Sequence, residues 1–245
     1  RLFLRSMAGS ILLPFCSEFA FGQQGRTLSI EKASSSQEAR ADMELSSATR
    51  HALVIGNSSY GKVPSLKNPR NDAQAIAAQL KLARFEVEAH LDVTRAAMLD
   101  AINGYVTRLT STQSIGLFFF AGHGVQLAWR NFLVPVDANI NRMDDISSRC
   151  VDLGELIVGL TKAKNPMNIV VLDACRDNPF AKVQLEAQGL SQLDAPPKTF
   201  LAYATSPGHV ASDGDGVNGL YTENLLRELN VPETKIEDVF KRVRL

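Results

Sequence analysis

The sequence has few cysteines, few aromatic residues and no excess charge of either sign. Its 245 residues include three cysteines and one tryptophan, and 26 Lys and Arg balance 26 Asp and Glu. Cys16, Cys150 and Cys175 cannot form a disulfide framework, and their spacing is not that of a zinc site. No block of basic residues supplies the positive surface that nucleic-acid binding requires. The composition therefore excludes a disulfide-rich scaffold and predicts no nucleic-acid partner.

The apolar run near the start of the chain is too short to span a bilayer, so we expect no stable membrane span. It extends from Met7 to Phe15, follows Arg1 and Arg5, and precedes the small residues of Ala20-Phe21-Gly22. This pattern is typical of a secretory signal and predicts a signal peptide over 1–22, with export to the periplasm or beyond. A disordered leader on a cytoplasmic protein also fits. Residues 23–50 are rich in Ser, Ala, Glu and Gln, which predicts a flexible linker.

From residue 51 the chain alternates predicted strands and helices. Apolar runs at 52–56, 115–120 and 168–173 predict buried parallel strands, with two further strands at 85–90 and 200–204. Residues 125–136 predict a hairpin with Asn131 near its turn. Helical periodicity begins at Asn68-Pro69 and after Thr94, and recurs at 153–160, 220–229 and 236–243. This alternation predicts an α/β fold with a mostly parallel central sheet between helices.

Candidate catalytic residues lie at the predicted carboxyl ends of strands, where ligand sites of parallel sheets form. Gly122-His123-Gly124 follows one strand and Cys175 follows another. A thiolate is a nucleophile, and a nearby imidazole lowers the thiol pKa and later protonates the leaving amine. The backbone N–H groups of Gly124 and Cys175 are the expected oxyanion donors. Taken singly, the cysteine fits a buried hydrophobe and the histidine a tight turn; together they predict a catalytic pair.

Three segments in this order resemble the caspase-like cysteine peptidases, peptidase C14. They are 119–124 (FFAGHG), 171–177 (VLDACRD), and 52–57 (ALVIGN) followed by 66–73 (LKNPRNDA). A histidine about fifty residues before the cysteine is a caspase signature. The resemblance is closest to bacterial metacaspases, or orthocaspases. It implies a caspase-like peptidase domain over 51–245, and a cysteine endopeptidase in which His123 and Cys175 are catalytic. Relatives continue further than residue 245, so a C-terminal truncation is expected.

Two carboxylates distinguish this chain from true caspases. Asp173 stands where caspases carry Gln, and the region of the first helix that carries an arginine in caspases offers Asp72. If both acids line the pocket for the residue before the scissile bond, that pocket selects Arg or Lys through charge-assisted hydrogen bonds. Ser206 is expected to line the same pocket. Asp72 also fits a helix first-turn acid that complements the helix dipole, and Asp173 a strand-end cap.

The remaining sequence features bear on cofactors, ligands and partners. No cofactor is expected to be required, and calcium stays an alternative. Asp213-Gly-Asp215-Gly invites a calcium site but lacks the full loop pattern, and the resemblance adds that some metacaspases respond to calcium. Cys150 lies in a polar stretch and is interpreted as incidental. The GxGxxG and Walker patterns are absent, which argues against nucleotide binding. The expected partner is a peptide or protein substrate with a basic residue before the scissile bond. A non-catalytic caspase-fold interaction module is the alternative, since fold does not prove turnover.

Overall fold

The computed structural model describes residues 45, 47–175, 178–180, 183, 185, 190–204, 216–231, 234 and 236–243. The predicted signal peptide, most of the predicted linker, Ser206 and the 213–215 segment lie outside these residues. The first strand begins at Arg50, and Leu45 is buried against the core. Within the described ranges, no helix combines the length and apolarity needed to cross a membrane.

Five parallel strands form the central sheet, in the order β2-β1-β3-β6-β7. Strand β3 extends past this sheet and pairs antiparallel with β4, which pairs antiparallel with β5. The mostly parallel sheet predicted from the alternating pattern is confirmed. The strands are β1 Arg50–Gly56, β2 Glu86–Leu91, β3 Ile115–Leu127, β4 Arg130–Leu133, β5 Val151–Asp152, β6 Asn168–Cys175 and β7 Thr199–Tyr203.

Helices follow the strands, and local capping explains where several of them begin. Pro69 occupies the first turn of α1, where its missing N–H costs no helical hydrogen bond. The Thr94 hydroxyl accepts the Ala97 N–H at 3.4 Å at the start of α2, and Asp152 accepts the Gly154 N–H at 2.8 Å at the start of α4. The described helices are α1 Pro69–Leu82, α2 Arg95–Thr112, α3 Asp145–Arg149, α4 Leu153–Ala163, α5 Leu220–Leu229 and α6 Ile236–Val243.

The central strands are apolar throughout because both of their faces are buried. Along β1, Ala52 and Val54 pack towards α1, α5 and α6, whereas Leu53 and Ile55 pack towards α2 and α4. The phenylalanines of β3 alternate in the same way, with Phe119 in the first layer. The result is a three-layer α/β/α domain whose two cores lie on opposite faces of one sheet.

Two local predictions need correction. The strand predicted to end at Phe120 continues to Leu127, so the Gly-His-Gly motif lies within β3 and not after it. The predicted hairpin forms, but its two-residue turn is Ala128-Trp129, with φ of 47° and 64°. Such turns need positive φ at both positions, which Asn and Gly adopt most readily. The sequence therefore predicts the turn at the asparagine and not at Ala128-Trp129. Asn131 instead lies in β4, where its buried amide donates to the Ser191 carbonyl oxygen at 2.8 Å.

Candidate active site

The catalytic histidine and cysteine predicted from the sequence stand opposite each other in the sheet. His123 on β3 and Cys175 on β6 are register partners, the last pair before β3 leaves the parallel sheet. Neighbouring strands are about 4.8 Å apart, so the two backbones are adjacent. Beyond this point β3 pairs with β4 instead of β6. The convergence predicted from strand ends is therefore present in the backbone, although His123 lies inside β3 and Cys175 is the last residue of β6 instead of lying after it.

The imidazole of His123 is held from several sides, and the residue as a whole is 4% exposed. Its Nε2 lies 2.8 Å from the Pro64 carbonyl oxygen. Because a carbonyl only accepts, Nε2 carries the hydrogen and Nδ1 is the basic nitrogen of the neutral ring. The backbone N–H of His123 donates to the Tyr60 hydroxyl at 2.8 Å, and the two rings lie 4.6 Å apart at 49°. The ring is thus fixed in one tautomer and one orientation.

Tyr60 and Pro64 belong to the loop between β1 and α1, and Asp92 anchors that loop. One carboxylate oxygen of Asp92 accepts the backbone N–H groups of Ser58 at 2.7 Å and Ser59 at 2.9 Å. The other accepts from the Arg70 guanidinium at the start of α1. Burial opposes ionisation of Asp92, but these donors outweigh burial and lower its pKa. The contacts that orient His123 therefore rest on an ionised carboxylate at the end of β2.

We expect Asp92→Asn to destabilise the fold at neutral pH by about 1–2 kcal/mol, because charge-assisted bonds to Asp92 are lost. The folded-state pKa lies below the usual 3.8, so the stabilisation is present above that value and is lost as pH falls through the lowered folded-state pKa. Urea unfolding of both proteins at about pH 7 and about pH 2.5 tests this. A stability difference that persists unchanged at the acidic pH would contradict it.

The backbone N–H of Gly124 points towards β6, the strand that carries Cys175. The Val134 N–H donates to the His123 carbonyl oxygen at 3.0 Å, so Gly124 and Leu133 form a non-hydrogen-bonded pair. The Gly124 N–H consequently points away from β4, towards the edge where β6 ends at Cys175. A Cβ at Gly124 would lie 3.0 Å from side-chain atoms of both Ala174 and Leu190, which explains the glycine. Its role as an oxyanion donor stays a prediction.

Asp72 and Asp173 converge at the N-terminus of α5. Oδ1 of Asp72, which is 3% exposed, accepts the Gly219 N–H and the Asn218 amide, both at 2.9 Å. Oδ2 of Asp173 accepts the Thr222 hydroxyl at 2.6 Å. The Oδ2 atoms of the two acids lie 3.2 and 3.8 Å from the position that a Cβ on Gly219 would take. The two carboxylates therefore lie on either side of the same small volume beside Gly219, and Asp72 is hydrogen-bonded to the N-terminal end of α5.

The sequence alone predicts neither the loop contacts of His123 nor the hydrogen bonds of Asp72 and Asp173 to α5. The loop between β1 and α1 contributes Tyr60 and Pro64, and the N-terminal end of α5 contributes Asn218, Gly219 and Thr222. Nothing in a single sequence marks either segment as functional. Ser206 lies outside the described residues, so its expected place in the pocket stays a prediction. In the described part of the chain, no three His, Cys, Asp or Glu side chains are grouped to hold a metal ion.

Cys150 is unsuited to nucleophilic chemistry. It is 1% exposed and directly precedes β5. Burial raises the pKa of its thiol to about 12, so almost none of it is thiolate at neutral pH. Alkylation of the folded protein is therefore expected to leave Cys150 unmodified, which simplifies labelling experiments on Cys175.

Comparison with known proteins places this geometry in a family. The family model Peptidase C14, the caspase domain, matches residues 49–245. The mouse protein "mucosa-associated lymphoid tissue lymphoma translocation protein 1 homolog" is 33% identical over 126 residues, which are 51% of this chain and 14% of that protein. Its human counterpart is 32% identical over 126 residues, 51% of this chain and 15% of that protein. The chain thus matches a small part of the length of these relatives.

The narrower resemblance to bacterial metacaspases and the export signal stay predictions. The family match covers the described sheet, its helices, and both His123 and Cys175. Together with the three-layer α/β fold, it confirms the family-level resemblance found in the sequence. The chain belongs to the Peptidase C14 caspase-domain family, a family of cysteine proteases.

Proposed function

We propose that the protein is a cysteine endopeptidase that cleaves peptide bonds after Arg or Lys, with Cys175 as nucleophile and His123 as acid and base. The observation that carries the proposal is the pairing of His123 with Cys175 across β3 and β6, with the imidazole oriented through Nε2 by the Pro64 carbonyl. This orientation leaves the chemistry of the ring to Nδ1. A fixed base beside a cysteine is the arrangement that thiol activation requires.

The reaction follows from these roles. The Cys175 thiol transfers its proton to His123, and the thiolate attacks the scissile carbonyl carbon, whose π electrons move to oxygen. The Gly124 and Cys175 N–H groups stabilise this oxyanion, each by about 3 kcal/mol. As the oxyanion collapses, the C–N bond breaks and the imidazolium protonates the leaving amine. Water, deprotonated by His123, then hydrolyses the thioester and regenerates the thiol.

The preference for a basic residue rests on Asp72 and Asp173. A guanidinium bridges two carboxylates with charge-assisted hydrogen bonds, whereas an acidic substrate would bring a third negative charge into the same space. The Gly219 N–H and the Thr222 hydroxyl donate to these carboxylates, which reduces the cost of holding two like charges together. The N-terminal end of the α5 dipole acts in the same direction.

The test uses the full chain and fluorogenic peptides that end in Arg, Lys or Asp, with and without calcium, beside Cys175→Ala. We expect hydrolysis after Arg and Lys that the Cys175→Ala variant lacks. Hydrolysis after Asp would keep the nucleophile and refute the basic preference. A folded protein that hydrolyses none of the peptides, with or without calcium, would contradict the endopeptidase and favour the non-catalytic interaction module.

A further inference from the structure

We propose that Tyr60 is a positioning residue for catalysis: its phenol fixes the backbone and the ring of His123, and with them the orientation of the catalytic base. The inference rests on the proposed function, in which His123 activates Cys175. Tyr60, in the loop between β1 and α1, thereby becomes a third residue on which catalysis depends, beside His123 and Cys175.

Tyr60 contacts His123 in two independent ways. Its hydroxyl oxygen accepts the His123 backbone N–H at 2.8 Å, which fixes the main chain of β3 where the strand leaves the central sheet. Its ring lies 4.6 Å from the imidazole at an angle of 49°, which restricts rotation of that side chain. Tyr60 is 8% exposed, so these contacts form away from solvent. With the Pro64 carbonyl on Nε2, the histidine is held at the backbone, one ring face and one ring nitrogen.

Gly122 shows that the backbone accommodates this phenol. The glycine has a φ of +153°, a conformation that L side chains rarely adopt. A Cβ there would lie 2.7 Å from the Tyr60 hydroxyl and 2.9 Å from the Phe120 ring. Any side chain at position 122 would therefore displace the phenol from the His123 N–H. The glycine before the histidine makes room for Tyr60, in addition to any room it leaves for substrate.

The loop that carries Tyr60 is anchored independently of the active site. Asp92 binds the N–H groups of Ser58 and Ser59, and the Gly61 N–H donates to the Val136 carbonyl oxygen at 3.0 Å. Tyr60 therefore lies between two fixed points of the backbone. A phenol held this rigidly transmits the position of the loop to the imidazole, and misplacement by about 1 Å can cost about 100-fold in rate.

The experiment compares Tyr60→Phe and Tyr60→Leu with a matched control, Tyr105→Phe, in full chains that also carry Cys16→Ser. Tyr105 is a second buried tyrosine whose hydroxyl packs beside Gly116, at the opposite end of β3 from His123. Steady-state cleavage of an Arg peptide gives kcat and KM, and iodoacetamide alkylation gives thiol activation without substrate. Thermal unfolding reports folding.

We expect Tyr60→Phe, which keeps the ring, to lower kcat by about tenfold, and Tyr60→Leu to lower it by about 100-fold, since orientation is lost in two steps. KM stays unchanged, alkylation slows in parallel with kcat, and Tyr105→Phe matches the parent. Tyr60 variants with parental kcat and alkylation would overturn the inference, as would an equal loss in Tyr105→Phe. If the parent itself is inactive and alkylates no faster than His123→Ala, the proposed catalytic pair fails, and this inference with it.

Discussion

Replacement of His123 by alanine is expected to lower kcat/KM for an arginine peptide by about 10²- to 10⁴-fold, the usual contribution of a positioned acid–base group. Two effects combine. Without the imidazole, the Cys175 thiol loses the base that accepts its proton, so the thiolate population at neutral pH falls. The leaving amine also loses its proton donor. Alkylation by iodoacetamide separates the two effects, because it requires the thiolate and no leaving-group protonation.

The matched control for this prediction is His90→Ala. His90 lies on β2 and pairs with Glu88 at 2.7 Å, and in the part of the chain that the structure describes its side chain makes no hydrogen bond to β3 or β6. We expect this variant to retain the parental kcat/KM and alkylation rate. His123→Ala should slow alkylation at about pH 6 strongly, because an unassisted thiol with a pKa of about 8.5 is protonated there. Parental cleavage and alkylation rates in His123→Ala would exclude the histidine from catalysis.

Local sequence patterns predicted much of the fold because each strand and helix has one dominant physical cause. The 115–120 run is buried on both faces, and its short length, its three phenylalanines and the glycines that follow it favour a buried strand over a buried helix. The predicted starts of α1 and α2 are correct because Pro69 and Thr94 act on their immediate neighbours. The predicted ranges of α5 and α6 also match the observed ones, because each helix buries one face and its apolar residues recur with the helical period.

The remaining features depend on contacts between residues that are distant in the chain. The strand predicted to end at Phe120 continues because the His123 N–H finds the Tyr60 hydroxyl, 63 positions away, and its carbonyl finds β4. Two separate sequence motifs predict the acidic pair, but they do not predict that the N-terminus of α5 packs against both carboxylates. This packing depends on the hydrogen bond from the Gly219 N–H to Asp72, which lies 147 positions earlier in the chain. Single-sequence patterns carry no information on such docking.

The second large effect concerns substrate charge: Asp72→Asn and Asp173→Asn are each expected to lower kcat/KM for an arginine peptide by about 10²- to 10³-fold. Loss of one partner from a buried charge pair costs about 2–5 kcal/mol. Asparagine keeps the Oδ1 acceptor, so at position 72 the bond from the Gly219 N–H survives and α5 stays docked. Asp173→Ala is expected to abolish cleavage after Arg and Lys altogether. In all three variants the thiol remains alkylatable, since iodoacetamide does not use the pocket.

The decisive measurement is the ratio of kcat/KM for peptides with lysine and with norleucine, its uncharged analogue, before the scissile bond. Each asparagine variant should bring this ratio towards one, whereas Asp100→Asn, on the exposed face of α2, should leave it at the parental value. Because both carboxylates face one space beside Gly219, their effects should be non-additive in the double variant. A parental ratio in both single variants would assign the two acids to docking of α5 and leave the specificity to other residues.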